Sequence, residues 1–247
     1  MSDDEYRFLR DYDPRAYPSV ALAADLVVFA VSAGTLYTAM VRRRDRPWEG
    51  ALALPGGFVG PEEDALEAAW RVLREKTGLE LGEHRAHVEQ LATFSSPRRD
   101  PRMRVVSVAH LALLETDGRA LPVLSAGTGT ATAQWMPAYD VLANEKPAFD
   151  HRDILTAAVE RLAGKIEYTL TGAKLLPEEF TLNQLRRVYQ AVWNVPRLDP
   201  GNFTRKMAGA LHDTGRKAGR AKGAPATVYT VADEHLSPPL VRPARRD

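Results

Sequence analysis

The 247-residue chain contains no cysteine. Disulfides, thiolate metal sites and thiol nucleophiles are thereby excluded, which fits a reducing compartment. No apolar run approaches the roughly 20 residues of a membrane-spanning helix, and Met1 to Glu5 is acidic where a secretory leader would be basic. The expectation is a cytosolic protein with no membrane association. Internal repeats and low-complexity tracts are missing too. With 45% hydrophobic and 26% charged residues, the chain can bury one large core or two modest ones, and two domains are expected.

The formal charge of +1 is unevenly distributed. Residues 1–160 carry 18 Lys and Arg against 24 Asp and Glu, whereas residues 161–247 carry 15 against 8. An acidic half thus precedes a basic one, and the basic half is the one to test for nucleic acid. The expected division is a first domain over 1–160, a second over 161–236, and a loose Pro- and Arg-rich tail over 237–247.

Apolar and β-branched runs from Leu22 to Val31 and from Thr35 to Val41, joined at Ser32-Ala33-Gly34, read as a hairpin. Val105 to Leu114 is a third strand, and Ala131 to Met136 a weaker candidate. Between them Leu66, Ala69, Trp70 and Leu73 share one helical stripe, with Glu62, Glu63 and Asp64 in its expected first turn and Gly78 as its stop. A connecting helix is expected from Asp150 as N-cap, burying Ile154, Ala158, Leu162 and Ile166. Thr181-Leu182-Asn183-Gln184 has the spacing of a capping box, opening a helix with Leu185, Val188, Tyr189, Val192 and Trp193 inward. Asp199 and Pro200 then supply an N-cap and a first-turn proline for a helix expected to reach His212.

The segment from Leu54-Pro55-Gly56-Gly57-Phe58 to Gly78-Leu79 resembles the signature of the Nudix hydrolases. Gly57, Glu63, Arg71, Leu73, Glu75, Gly78 and Leu79 fall at that family's spacing over 23 positions. In the family, the Glu after the Arg and a later Glu pair lie at i, i+3 and i+4, face one way from the helix, and hold magnesium against a diphosphate. Here those places are Val72, Glu75 and Lys76. One carboxylate beside Lys76 and Arg74 is a poor magnesium site. Efficient hydrolysis is therefore not expected and no cofactor is required, although Glu63, Glu67 and Glu75 leave open an improvised metal site with weak ADP-ribose pyrophosphatase activity. Gly56, Gly57 and Phe58 still shape the turn of a ligand pocket. The Lys76 ammonium either contacts a ligand diphosphate where metal would sit or only complements the negative end of its helix. Arg42, Arg43 and Arg44 at the end of the second strand and Arg98, Arg99, Arg102 and Arg104 around Asp100-Pro101 flank the expected pocket, as diphosphate or ribose contacts or as solvated loop residues, with Arg42, Arg99 and Arg102 the expected contacts. Trp48 can stack a base or pack under the sheet.

In the expected helix over 200–212, Phe203, Met207, Ala210 and Leu211 point inward, and Asn202, Arg205, Lys206 and Gly209 outward. In a major groove Asn pairs with adenine and Arg with guanine through two hydrogen bonds each. Arg216, Lys217, Arg220 and Lys222 then alternate with Gly215, Gly219 and Gly223 before a strand from Thr227 to Val231. This is the pattern of a wing that follows the phosphate backbone. No aromatic platform for RNA accompanies the charges.

From about residue 22 to about 231 the chain resembles the NrtR family, Nudix-related transcriptional regulators of NAD metabolism. Beyond the box the similarity rests on Phe149-Asp150-His151, Leu175-Leu176-Pro177, Phe180-Thr181-Leu182, Val188-Tyr189, and Asp199 through Asn202-Phe203 to Arg205-Lys206-Met207. The resemblance implies an α+β protein, with a Nudix-type mixed β-sheet sandwich and helices followed by a C-terminal winged helix-turn-helix domain. It further implies a cytoplasmic homodimer, nucleoid-associated when DNA-bound, that represses genes of NAD synthesis or salvage from a palindromic operator on double-stranded DNA. ADP-ribose or a related NAD derivative is the implied effector. An active ADP-ribose pyrophosphatase with an appended DNA-binding domain is the alternative, which Val72 and Lys76 oppose.

Overall fold

The computed structural model describes residues 1–80, 86–117, 120–207, 209–219 and 225–231. The expected hairpin is β1 (Ala21–Ser32) and β2 (Thr35–Arg43), antiparallel, with Ser32 opposite Thr35. A two-residue hairpin turn that matches strand twist needs positive φ at both central positions, and Ala33 and Gly34 adopt 49° and 80°. On its other edge β1 runs parallel to β6 (Val105–Leu114), from Ala21 opposite Val105 to Phe29 opposite Leu113. A strand paired on both edges and covered on both faces reads as a nearly unbroken apolar run. Successive β1 side chains enter different cores. Val27, Phe29 and Val31 join the larger one, whereas Leu26, Val28 and Ala30 pack with Leu73 in a smaller one. Among the described residues β3 (Leu52–Ala53), β4 (Gly56–Phe58), β5 (Ala86–Phe94) and β7 (Thr130–Pro137) complete a seven-stranded mixed sheet.

A helix not anticipated from the sequence, α1 (Asp3–Asp11), precedes the sheet and buries no side chain. The box helix is α2 (Ala65–Thr77). Glu62 and Glu63 lie before it rather than in its first turn. Asp64 is the N-cap, its carboxylate accepting from the Leu66 and Glu67 N–H groups at 2.8 Å, while Glu67 accepts from the Asp64 N–H at 2.8 Å. Gly78 closes the helix at φ 65°, a left-handed conformation that favours glycine.

After α3 (Ala138–Asn144), α4 (His151–Tyr168) begins where expected, but the Asp150 carboxylate does not cap it. That group is bound to Arg99 instead. The boundary expected at residue 160 falls inside α4. Ile154, Ala158, Leu162 and Ile166 share one core with Leu185, Val188, Tyr189 and Val192 of α5 (Leu182–Trp193). Trp193 Nε1–H donates to the Ala163 carbonyl at 3.0 Å across this contact.

The C-terminal part runs β8 (Phe180–Thr181), α5, α6 (Pro200–Met207), β9 (Leu211–Ala218) and β10 (Ala226–Val231), with strand order β8-β10-β9. Thr181 and Gln184 form the expected capping box, and Asp199 Oδ1 accepts from the Asn202 N–H at 2.7 Å. The helix expected over 200–212 ends at Met207. Ala210 and Leu211 are buried as expected, but off the helix, and Leu211 pairs with Val231 in the sheet. Gly209 lies in the intervening turn rather than on an outward helical stripe. The strand partner decides this boundary, because a short apolar spacing is compatible with either element.

Candidate functional site

A cavity of about 330 Å³ lies where β1, β2, β4 and α2 meet the 95–104 loop and the start of α4. At its floor is Asp25, only 4% exposed within the apolar run of β1. Its Oδ2 accepts from Ser107 Oγ at 2.6 Å and from Arg99 Nη2 at 3.2 Å. Arg99 also donates to Asp150, from Nε at 2.8 Å and from Nη2 at 2.6 Å. Burial disfavours the Arg99 charge, but Asp150 and Asp25 outweigh it and raise its pKa. His151 Nδ1 accepts from the Leu54 N–H at 2.9 Å, so the ring proton of neutral His151 sits on Nε2, which is 3.6 Å from Asp25 Oδ1. Burial lowers the His151 pKa despite Asp25 and Asp150.

This floor explains the double glycine. A Cβ on Gly56 would stand 2.0 Å from Asp25 Oδ1, and one on Gly57 would stand 2.8 Å from Val72 Cγ1. Gly56, Gly57 and Phe58 all line the cavity.

The box carboxylates are engaged with each other's neighbours. Arg71 donates to Glu63 through Nε at 2.9 Å and Nη2 at 2.5 Å, to Glu75 through Nη1 at 3.1 Å, and to the Phe58 carbonyl at 3.0 Å. Glu63 also accepts from the Gly60 N–H at 2.7 Å. These bonds, Arg71's first, hold the Glu63 pKa down to about 2. Glu67 is tied to the cap of α2. The family's box implies a divalent cation, but Val72 is 1% exposed and packed, and Glu75 is paired with Arg71. Among the described residues no three His, Cys, Asp or Glu side chains converge as a metal site. The donor set does not fit such an ion, and the improvised site from Glu63, Glu67 and Glu75 does not assemble.

Lys76 lines the cavity and donates to the Thr128 carbonyl at 2.7 Å. Burial lowers its pKa; Glu75 and Asp45 oppose the shift, while Arg43 and Arg71 add to it. Arg102 also lines the cavity, paired with Asp100 through Nη2 at 2.7 Å and Nε at 3.0 Å. Its guanidinium lies 5.2 Å from the Phe58 ring centroid and 5.7 Å from that of Phe149. Arg42, expected at the cavity, is not among its lining residues and donates to the Gly50 carbonyl at 2.6 Å. Arg43 takes that place, 5.0 Å from the Phe149 centroid, because successive strand residues face opposite sides. Burial, then Arg102, lowers the Arg43 pKa. Trp48 is half exposed and meets Phe149 edge-on at 6.3 Å rather than packing under the sheet. In all, six cationic side chains (Arg43, Arg46, Arg71, Lys76, Arg99 and Arg102) face four carboxylates (Asp25, Asp45, Glu75 and Asp100) around the cavity.

Asp25, Phe149 and His151 had no assigned chemical role in the sequence, and Arg43 was one of three consecutive arginines offered there, with Arg42 the expected contact. A lone carboxylate inside the apolar run of β1 was the available signal for Asp25. For Arg43 it was the alternation along β2, in which Val41 and Arg43 share a face that Arg42 does not.

On the C-terminal domain, α6 buries Phe203 and Met207 and exposes Asn202 and Arg205, with Lys206 half-buried. Arg205 Nη2 donates to Asn202 Oδ1 at 3.0 Å, so the two expected base readers hold one another. In β9, Lys217 is exposed and donates to Thr227 Oγ1 at 2.6 Å, whereas Arg216 is paired with Glu179. Gly215, at φ 73°, lies where the β9–β10 register shifts. Arg220 and Lys222, like the 237–247 tail, lie outside the described residues.

The chain matches the NUDIX domain over residues 22–158 and the NrtR DNA-binding winged helix domain over residues 172–231. It is 32% identical over 232 residues to the ADPR responsive transcriptional repressor NtrR of Acinetobacter baylyi, spanning 92% of this chain and 88% of that one. The crystal structure of Shewanella oneidensis NrtR complexed with a 27mer DNA superposes with a TM-score of 0.72 at 30% identity, over 90% of this chain and 98% of that one. The NUDIX domain of that NrtR complexed with ADP ribose gives 0.56 at 31% identity, over 66% and 99%. Fold and cavity thus define a Nudix domain joined to a winged-helix DNA-binding domain, the α+β architecture that the sequence implies. The chain belongs to the NrtR family.

Proposed function

We propose that this protein is a transcriptional repressor that binds double-stranded DNA through its winged helix and releases it when ADP-ribose occupies the Nudix cavity. The make-up of that cavity carries the reading. Arg43 and Lys76 line it and donate to backbone carbonyls rather than to carboxylates, and α2 presents Val72 and Lys76 where metal-binding carboxylates stand in the hydrolases. The diphosphate of ADP-ribose is a dianion. Arg43, Lys76 and Arg102 neutralise it without metal, and the box residues do not form a donor set for a divalent ion that would activate water, so the ligand is bound and not efficiently cut. Full-length similarity to a repressor named for its response to ADPR supports this assignment.

The winged helix acts as a homodimer, because two copies of α6 read the half-sites of a palindrome about one helical turn apart. Release requires the ligand to favour a domain arrangement in which that spacing is lost. A physical link runs along α4, whose 18 residues extend about 27 Å. Asp150 and His151 at its start contact Arg99 and Leu54 in the cavity wall, and Ala163 near its end accepts from Trp193 of α5. The Nudix unit and the winged helix, divided near residue 160, therefore share α4. Genes of NAD synthesis or salvage are the proposed targets, in the cytoplasm.

A mobility-shift titration on a NAD-biosynthesis promoter, with and without ADP-ribose and with the nucleotide assayed afterwards, tests the reading. The expected result is a specific complex that ADP-ribose dissolves while remaining intact. DNA binding indifferent to ADP-ribose, or stoichiometric cleavage of the nucleotide, overturns it.

A further inference from the structure

Two phenyl rings line the cavity, Phe58 and Phe149, and each has a guanidinium over it. Arg102 lies 5.2 Å from the Phe58 centroid and 5.7 Å from that of Phe149, and Arg43 lies 5.0 Å from that of Phe149. An open aromatic face attracts a cationic ring. Here a cation already stands over each ring, and a second positively charged ring entering beside it meets like charge. The carboxylates nearby do not restore the attraction. Asp100 is bound to Arg102, Asp25 to Arg99 and Ser107, and Glu75 to Arg71, while Asp45 lies within the field of both Arg43 and Lys76, which offset it. A neutral ring at that end has no such conflict, since guanidinium planes stack well on uncharged rings.

We infer that the Arg43–Phe149–Arg102–Phe58 stack makes the cavity select dinucleotide-type ligands by the charge of their second ring: it accepts a diphosphate whose far end is neutral and rejects one ending in a nicotinamidium cation. This rests on the reading of the cavity as an ADP-ribose site. It assigns discrimination between ADP-ribose and NAD⁺ to charge rather than to the bulk of the nicotinamide group. NADH separates the two causes, because it has nearly the size of NAD⁺ and an uncharged ring.

Calorimetric titration of the full-length protein with ADP-ribose, NADH and NAD⁺ tests the inference. NADH is expected to bind within a few-fold of ADP-ribose, and NAD⁺ about ten-fold or more weakly than NADH. In Arg102→Met, which removes the charge but keeps an apolar stem over the rings, the NADH-to-NAD⁺ ratio should fall toward one. Arg43→Met is a second variant, and thermal melting reports whether each folds. Equal affinities of the wild type for NAD⁺ and NADH, both strong or both weak, overturn the charge rule while leaving ADP-ribose sensing intact. So does a ratio that is unchanged in a folded Arg102→Met protein. Failure of the wild type to bind ADP-ribose overturns the sensor reading together with this inference.

Discussion

Asp25 shows how much one buried side chain organises. It orders Ser107, Arg99 and the Nε2 edge of His151, and it dictates a glycine at position 56. Removing Asp25 leaves the buried Ser107 hydroxyl without its acceptor and Arg99 with Asp150 alone, at a cost of about 1–3 kcal/mol. Asp25→Ala should therefore lose that much stability in urea denaturation, and a loss under about 1 kcal/mol would contradict the role given to the cluster. The neighbouring pair on β2 gives a second check. Arg43→Ala should weaken ADP-ribose binding about ten-fold, as loss of a charge-assisted contact does, and Arg42→Ala should leave it unchanged. The reverse order in calorimetry would show that the wrong face of β2 was assigned. Both residues sit in one run of three arginines. Composition marks the run, and only the strand's phase, set by pairing with β1 and β7, decides which of them reaches the cavity.

The elements were largely legible where local chemistry decides them. Strand alternation, the Thr181 capping box and Asp199-Pro200 each specify an element through neighbours in sequence, and each stands where expected. Asp150 did not follow its local rule because Arg99, 51 residues away, is the stronger partner for a carboxylate. The length of α6 failed for a similar reason, with Leu211 claimed by β10. At the box, the Arg71–Glu63 contact pins the loop before α2 to the helix. The Arg71 hydrogen bonds, then that of the Gly60 N–H, hold the Glu63 pKa down to about 2, against about 4.5 in the unfolded chain. Being depressed, it stabilises the fold above the higher value, and the effect is lost as pH falls toward the lower one. Glu63→Gln should thus melt below the wild type at neutral pH, with the gap closing in acid; a gap constant down to about pH 3 would contradict the ion pair. On the winged helix, Arg205→Ala should cost roughly 1–3 kcal/mol on operator DNA and relax its sequence preference, while Lys217→Ala should weaken all sequences alike and flatten the salt slope by about one unit. Equal effects of both variants on operator and random DNA, measured across salt concentrations, would reverse the assignment of base and phosphate contacts.

At the scale of the whole molecule, charge polarity, the damaged box and the basic, glycine-spaced segment after α6 are each legible in the sequence, and together they point to a sensor joined to a DNA reader. The rest depends on contacts between distant segments, such as the buried Asp25–Arg99–Asp150 cluster and the cation-covered aromatic rings, which no local pattern announces. Substituting side-chain cations for a metal ion is the claim on which the repressor reading turns. Calorimetric titration with ADP-ribose in magnesium and again in EDTA tests it most directly. The same dissociation constant is expected in both buffers, with a clear loss of affinity in Lys76→Ala; affinity that collapses in EDTA, or that is indifferent to Lys76, would show that a metal ion and not the lysine holds the diphosphate.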